Sequence, residues 1–216
     1  MSLLLTTVVL SLILYAPVLR SFFVFDDLSL IRIACLDLRT WTDCLRPIGN
    51  GFWRPEALVL TRATSAAFGY SPLAFHLVAV IIHSCAAAMT GLFAQALFPG
   101  RSLLPWLATV LFVGNLATWD GASQFQNIGD SLLTLWLLLA LYLWQRSLRY
   151  GEMHWFYVLL VSAVAILAIG AKETGIIVGP ALLLLTFFSR RGTRSHYVAA
   201  ALIVAIDLAY GLLALH

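Results

Sequence analysis

The pattern of apolar and polar residues predicts seven membrane-spanning helices. A helix needs about 20 mostly apolar residues to cross the hydrocarbon core of a bilayer, and seven long apolar runs alternate with short polar segments. The approximate bounds of these runs are 3–19, 73–98, 103–119, 131–144, 155–170, 175–188 and 197–215. The expected fold class is therefore all-α, a polytopic transmembrane helix bundle that forms one module over residues 1–216.

One long segment, residues 20–72, interrupts the apolar pattern. It holds six of the 13 basic residues and five of the ten acidic residues, and its prolines and glycines divide it into short pieces. Residues 56–68 are predicted to form an interfacial helix, because Pro55 suits a first turn and Gly69 suits a C-terminal stop. The first apolar run has no basic residue before it and no small-residue cleavage site after it, which favours an uncleaved helix over a signal peptide.

Composition excludes several classes of protein. Hydrophobic residues make up 62% of the chain, charged residues 11%, and the mean hydropathy is +0.94. A soluble domain has about 25% charged residues, so a soluble globular enzyme, a disordered chain and a nucleic-acid binder are all excluded. Three cysteines form no disulfide framework, although Cys35 and Cys44 share one loop and could pair.

Basic residues in the short loops predict the orientation. Six arginines fall on one side (Arg101, Arg146, Arg149, Arg190, Arg191 and Arg194), and Lys172 alone falls in the short loops of the other side. Positive residues are retained in the cytoplasm, so the N-terminus is expected there. The loop 20–72, the loop between Asp120 and Asp130, and Lys172 with Glu173 would then share the extracytoplasmic face.

Two adjacent carboxylates, Asp26 and Asp27, follow the first span. Desolvation and mutual repulsion would raise the pKa of at least one, which suits a general base or a ligand for a divalent cation. Asp27 is the weaker candidate, since it could instead cap a short helix that begins at Leu28. Spacing alone does not separate the capping interpretation from the catalytic one.

Several further residues could bind a substrate at the same face. Arg54 could grip a phosphate with its guanidinium fork, and Lys172 could neutralise one, although each could equally form an ion pair. His76 and His83 share a helix face at a spacing that favours hydrogen bonds inside the bundle over metal binding. Gln124 and Asn127 are candidates because their amides suit hydroxyl-rich ligands. Glu173 is a candidate that could start a span, since a helix N-terminus favours an anion.

The order of these motifs resembles one family of membrane enzymes. Trp53-Arg54-Pro55, then Phe68-Gly69-Tyr70-Ser71-Pro72-Leu73-Ala74-Phe75-His76-Leu77 and His83, is similar to a segment of GT-C fold glycosyltransferases. That group includes the protein O-mannosyltransferase-like and tetratricopeptide-linked transmembrane families. Phe25-Asp26-Asp27 lies where those proteins carry an acidic motif, and Ala171-Lys172-Glu173-Thr174-Gly175 resembles their Ser-Lys-Glu segment. This chain departs from them at Glu56, where they carry an apolar residue.

The resemblance implies a chemistry. A polyprenyl-phosphate sugar would present its head group at the extracytoplasmic face, and an acceptor hydroxyl would attack the anomeric carbon. A carboxylate, Asp26 or Asp27, would take the proton, while Arg54 and Lys172 would hold the leaving phosphate. The resemblance leaves the requirement for a divalent cation open. Expected partners are the lipid-linked donor and membrane lipid, with no nucleic acid.

Two other classes of function compete with this hypothesis. A transporter could use the midspan Asp207 and the two histidines as a polar path, although no inverted repeat is evident. A catalytically inactive scaffold of the same fold is the other alternative. Because enzymes of the family are usually several hundred residues long, the chain is also expected to be an incomplete enzyme that needs further transmembrane segments or a second subunit. The neighbour that Asp207 needs would then be a helix outside this chain.

Overall fold

The protein is helical throughout the part of the chain that the structure describes. This structure is a computed structural model that describes residues 3–24, 26–47, 53–151 and 154–214. Within these ranges there are ten α-helices and no strands, which confirms the all-α class. The helices are α1 (Leu3–Leu14), α2 (Asp27–Arg32), α3 (Pro55–Phe68), α4 (Pro72–Leu97), α5 (Leu104–Val113), α6 (Leu116–Ser123), α7 (Ile128–Tyr150), α8 (Trp155–Ala171), α9 (Val178–Ser189) and α10 (Arg194–Ala214).

Helices α4 and α7 form the centre of the bundle. They pack against each other, α4 also packs against α1 and α5, and α7 also packs against α8 and α9. Helix α10 packs mainly against α9. The main core contains large buried side chains from α4 and α7 and from the turn before α7, among them Phe75, Phe125 and Trp144.

In the part of the chain that the structure describes, two helices are long and apolar enough to cross a membrane. These are Pro72–Leu97 and the continuous helical segment Phe125–Tyr150. Four further apolar helical segments are shorter, with 10–17 residues each. Helix length therefore supports membrane association, while the count of seven spans stays a prediction.

The predicted third span, 103–119, is divided in the structure. Helix α5 ends at Val113, and α6 begins at Leu116 after Gly114 and Asn115. The side chain of Asn115 accepts a hydrogen bond from the backbone N–H of Ala117, as an N-cap residue does. This cap starts the new helix α6, which leads to the loop before α7.

The described part of segment 20–72 contains short helices, among them a helix at the predicted residues 56–68. Helix α3 has Pro55 in its first turn and ends before Gly69, whose φ of 63° belongs to the left-handed region. Arg62 of α3 donates hydrogen bonds to four backbone carbonyls, those of Ala34, Leu38, Arg39 and Thr40. Arg62 therefore connects residues 34–40 to α3 through hydrogen bonds. Gly49 and Gly51, which were expected to break this segment, lie outside the described residues.

The side chain of Trp144 and the three cysteines have surroundings that bear on the sequence predictions. Trp144 is the last residue of the predicted span 131–144, but it is fully buried and donates from Nε1 to Oγ1 of Thr186 at 2.7 Å. Helix α7 continues to Tyr150, so Trp144 lies inside the helix and not at its end. The three cysteines are free thiols, so Cys35 and Cys44 are not bonded to each other.

Candidate functional site

Arg54 and Glu173 form a bidentate ion pair at one end of the bundle. Nε of Arg54 lies 2.9 Å from Oε1 of Glu173, and Nη2 lies 2.9 Å from Oε2. Arg54 immediately precedes α3, and Glu173 begins a 3₁₀ turn (Glu173–Ile177) after α8. The pair therefore joins two segments 119 residues apart. Both side chains are partly exposed, 36% and 27%, so the pair is accessible at the surface of the bundle.

Lys172 and Asp130 form a second ion pair beside the first. Nζ of Lys172 lies 2.5 Å from Oδ1 of Asp130. The start of α7 and the end of α8 lie close together here because Gly129 has no side chain. A Cβ at Gly129 would lie 2.7 Å from the carbonyl oxygen of Ala171. Each cation is matched by one carboxylate, so the two pairs together carry no formal net charge. A donor phosphate would have to share or displace these carboxylates.

The two adjacent aspartates have different environments. Asp27 is fully buried, and its carboxylate accepts from the backbone N–H of Val24 at 3.1 Å and of Gln126 at 2.8 Å. Asp26 is exposed, and its side chain makes no capping bond to α2. Asp27 therefore anchors the loop before α7, whereas Asp26 presents its carboxylate to solvent. Phe25, the residue before this pair, lies outside the described residues.

An amide cluster precedes α7. Oε1 of Gln124 accepts from Nε2 of Gln126 at 3.0 Å and from Nδ2 of Asn127 at 3.1 Å, and Gln124 donates to Oδ1 of Asp120 at 3.4 Å. The backbone N–H of Gln126 is the group that Asp27 holds. The anchor of Asp27 thus fixes the position of the whole amide cluster.

The two histidines make hydrogen bonds inside the bundle, as their spacing suggested. The hydroxyl of Ser21 donates to Val18, so the contact of 3.2 Å between Ser21 and His76 requires Nε2 of His76 as donor. Nδ1 of His76 is buried and has no partner among the described residues. His83 contacts the hydroxyl of Tyr15 at 3.2 Å in the same way.

A polar cavity of about 420 Å³ lies between α6 and α7. Carboxylates and an amide line it (Asp120, Asp130 and Asn127), together with hydroxyl groups of Thr118, Ser131 and Thr134. Its lining includes the side chain that pairs with Lys172. Carboxylates, amides and hydroxyls are hydrogen-bonding groups that suit the hydroxyls of a sugar. The sequence had singled out Asn127 and the loop between Asp120 and Asp130, but not the threonines.

Sequence reasoning also missed a role for Glu56, which it noted only as a departure from the family pattern. Oε2 of Glu56 accepts from the indole N–H of Trp136 at 2.7 Å, and Oε1 is buried with no partner among the described residues. Burial raises the pKa of this carboxyl, and the bond from Trp136 opposes that shift. A single acid within an apolar interfacial helix was the signal that could have indicated a buried carboxyl.

Asp207 lies apart from these residues, on α10. Its Oδ2 accepts from the backbone N–H of Gly179 in α9 at 2.8 Å. The expectation that its neighbour lies outside this chain is therefore wrong for one of the two carboxylate oxygens, because α9 supplies the donor. The other oxygen is buried and unpartnered within the described part of the chain.

The structure therefore brings most predicted site residues to one end of the bundle. Direct contacts join Arg54 to Glu173, Lys172 to Asp130, and Asp27 to the loop that holds Gln124 and Asn127. His76 is buried in α4, where it contacts Ser21 and lies near Phe23. Among the described residues, no group of three or more His, Cys, Asp or Glu side chains is placed to hold a metal ion.

Comparison with known proteins gives one partial similarity. The chain is 30% identical over 179 residues to the protein O-mannosyl-transferase Tmtc1 of Drosophila melanogaster. The similarity covers 77% of this chain and 20% of that protein, so the chain spans about one fifth of the length of the curated relative it matches. No family model and no solved structure matches the chain. This distant, partial similarity supports a relationship to glycosyltransferases.

Proposed function

We propose that the chain is a membrane glycosyltransferase module of the GT-C type. It transfers a sugar from a polyprenyl-phosphate donor to an acceptor hydroxyl on the extracytoplasmic face. The observation that carries the proposal is the polar cavity between α6 and α7, which adjoins the ion pair of Lys172 and Asp130. A cavity lined by hydrogen-bonding groups next to a cation suits a phosphate-linked sugar.

Asp26 is the general base of this proposal. The carboxylate of Asp27 is occupied by two backbone N–H groups, whereas Asp26 is exposed. Asp27 begins α2 directly after Asp26, and its carboxylate fixes Gln126 beside Asn127 of the cavity. Asp27 is thus a positioning residue.

The reaction balances without a further reactant. The acceptor oxygen forms a bond to the anomeric carbon as the bond from that carbon to the phosphate oxygen breaks. The phosphate leaves with the bonding electron pair, and the proton of the acceptor hydroxyl passes to Asp26. Lys172 and Arg54 stabilise the negative charge on the departing phosphate, as fixed cations do at a site of developing charge.

Each cation has a distinct part in this proposal. Lys172 is a point charge with three donors, so it can contact a phosphate while it remains near Asp130. Arg54 has five donors in a fixed fork, and Glu173 takes the face formed by Nε and Nη2. The bound carboxylates keep both cations in place before the donor arrives.

The proposed topology has seven spans with the N-terminus in the cytoplasm. The six arginines of the short loops then lie at the cytoplasmic side. All four ion pairs among the described residues belong to the other side: Arg32 with Asp37, Arg46 with Asp43, Arg54 with Glu173, and Lys172 with Asp130. Further transmembrane segments or a second subunit complete the acceptor site.

Sugar transfer in native membranes tests the proposal. Membranes from cells that express the protein in its natural setting receive a labelled polyprenyl-phosphate hexose, and label in the acceptor fraction is counted. Loss of a general base typically costs 10²–10⁴-fold in rate, so Asp26→Asn should abolish nearly all transfer.

Asp37→Asn is the matched control, because Asp37 is a half-exposed acid of the same loop that pairs only with exposed Arg32 in the described structure. It should keep transfer within about twofold, as surface substitutions usually have small effects. Equal transfer by the wild type and Asp26→Asn would exclude Asp26 as the base. No transfer dependent on the wild-type protein would defeat the proposed activity itself.

A further inference from the structure

Two adjoining cavities lie at the arginine-rich end of the bundle, opposite the candidate site. The first, of about 400 Å³, is lined by Gln95, Tyr142, Arg146, Arg149 and Tyr150, with Leu92 and Ala96 on its apolar side. The second, of about 340 Å³, is lined by Gln145, Arg149, Ser189 and Arg191, with Leu185 and Phe188 on its apolar side. Arg149 and Pro99 border both cavities, and the two adjoining cavities together are called the basic groove.

The arginines of this groove are held by neutral groups. Arg146 donates to the hydroxyls of Tyr142 at 3.3 Å and Tyr150 at 3.2 Å, and its guanidinium lies 5.9 Å from the centre of the Tyr142 ring. Arg149 donates to the backbone carbonyl of Ala96 near the end of α4. These contacts orient both guanidinium groups without neutralising their charge.

No carboxylate offsets that charge within the described residues. Each of the four ion pairs found there belongs to the opposite end of the bundle. The loops at the arginine-rich end hold six arginines in the sequence and one acid, Glu152, which lies outside the described residues. Among the described residues the groove therefore has no counter-ion, and an external anion would supply one.

The shape of the groove indicates the kind of anion. Each cavity combines a basic rim with an apolar wall of leucine, alanine or phenylalanine, and Phe187 and Phe188 beside it are largely exposed. Oε1 of Gln145 is buried with no partner among the described residues, so the groove also offers an acceptor to a hydroxyl or ammonium group. An amphiphile with a phosphate, a hydroxyl and acyl chains meets each of these requirements.

We infer that this groove binds the phosphate head group of an anionic glycerophospholipid, with its acyl chains along the apolar wall. Basic pockets between membrane helices on the cytoplasmic side bind such head groups through charge and hydrogen bonds. The arginine fork matches phosphate oxygens in pairs. The two cavities, which share Arg149, accommodate two phosphates, from two lipids or from one lipid with two phosphates. The inference does not depend on the proposed transferase activity.

Lipid titration of the full chain in a mild non-ionic detergent tests the inference. The probes are short-chain phosphatidylglycerol, short-chain phosphatidylcholine and inorganic phosphate, and bound lipid is counted by native mass spectrometry. Phosphatidylglycerol should bind at least about tenfold more tightly than phosphatidylcholine, because two or more arginines face a net negative charge. Inorganic phosphate should compete only at far higher concentration, since it lacks acyl chains. Competition at equal concentration would show a site for free phosphate and overturn the lipid assignment.

Paired double variants separate a defined groove from general basic charge. Arg146→Gln with Arg191→Gln removes one arginine from each cavity and leaves the bond from Arg149 to Ala96 intact. Arg190→Gln with Arg194→Gln removes the same charge from positions that line neither cavity. The first pair should weaken phosphatidylglycerol binding by about tenfold or more, and the second by less than about threefold. Equal losses in the two pairs would show diffuse attraction and overturn the groove as a site.

Discussion

At the residue scale, the contrast between Asp26 and Asp27 depends on a contact that no local pattern contains. The acidic pair at the end of an apolar run was visible in the sequence, as was the alternative that Asp27 serves a helix start. The partner that occupies Asp27 is the backbone N–H of Gln126, 99 residues away. Spacing cannot predict such a bond, because it arises only when α2 and the loop before α7 pack together.

Asp27→Asn should destabilise the protein while Asp26→Asn should not. Two backbone N–H groups donate to the carboxylate of Asp27. The asparagine amide offers only one oxygen, and its NH₂ group would face one of these two N–H donors. An unmet buried hydrogen bond costs about 1–3 kcal/mol of unfolding free energy. The measurement is denaturant unfolding in detergent, where Asp26→Asn should change the free energy by less than about 0.5 kcal/mol. Equal stability of the two variants would contradict the anchoring role.

Glu56 should make the stability of the protein depend on pH. Burial raises the pKa of its carboxyl in the folded state, so folding is favoured when the group is protonated. The free energy of unfolding should therefore fall as pH rises from the ordinary carboxyl range through the raised pKa, and then level off. Glu56→Gln keeps an acceptor for Trp136 and removes the ionisation, so its unfolding profile should lose this decrease. The check is the difference between the two unfolding curves across pH; a constant difference would contradict the buried carboxyl.

At the element scale, the sequence predicted helices with clear local signals and failed where a helix is divided. Pro55 and Gly69 mark the two ends of α3 in both sequence and structure. The break between α5 and α6 was missed because residues 103–119 are continuously apolar apart from Asn115 and two threonines. Hydropathy averages over such a run, whereas the Asn115 cap acts at one residue.

Helix α9 should tolerate no side chain at Gly179. A Cβ there would lie 2.6 Å from Oδ2 of Asp207 and 2.8 Å from Val204, so α9 and α10 would have to separate. Gly179→Ala should therefore lower the unfolding free energy by about 1–3 kcal/mol, despite the better helix propensity of alanine.

Gly211→Ala is the control for Gly179→Ala, because Gly211 in α10 has open space around its Cβ position. It should be neutral or stabilising by up to about 1 kcal/mol. Thermal unfolding of both variants in the same detergent gives the comparison. A stable Gly179→Ala protein would show that α9 and α10 do not pack as closely as described.

At the whole-molecule scale, the gathering of polar residues at one end follows from the charge pattern of the loops. The sequence therefore predicted that Arg54, Lys172, Glu173 and the amides share a face. It left open whether each cation forms an ion pair and could not predict the partners, because the pairs join residues 119 and 42 positions apart. Nor could it predict the cavity, which depends on how α6 turns back toward α7.

The orientation of the bundle is tested by reporter fusions. A reporter that is active only outside the cytoplasm should be active when fused after Gln126 and inactive when fused after Arg149, because the arginine-rich loops stay in the cytoplasm. A reporter that is active only in the cytoplasm should give the reverse result at both sites. Equal activity at the two positions would place them on one side and remove the shared site face.

The most direct test of the proposed site is the affinity of the purified chain for polyprenyl monophosphate, measured for the wild type, Lys172→Gln and Asp130→Asn. Lys172 and Asp130 pair with each other, so a purely structural ion pair would be disturbed equally by either change. If Lys172 holds the donor phosphate, Lys172→Gln should weaken binding by about tenfold, as loss of a charge-assisted hydrogen bond does. Asp130→Asn should then bind as tightly as the wild type or more tightly, because Lys172 is released. Equal weakening in both variants, or no binding by the wild type, would contradict the account.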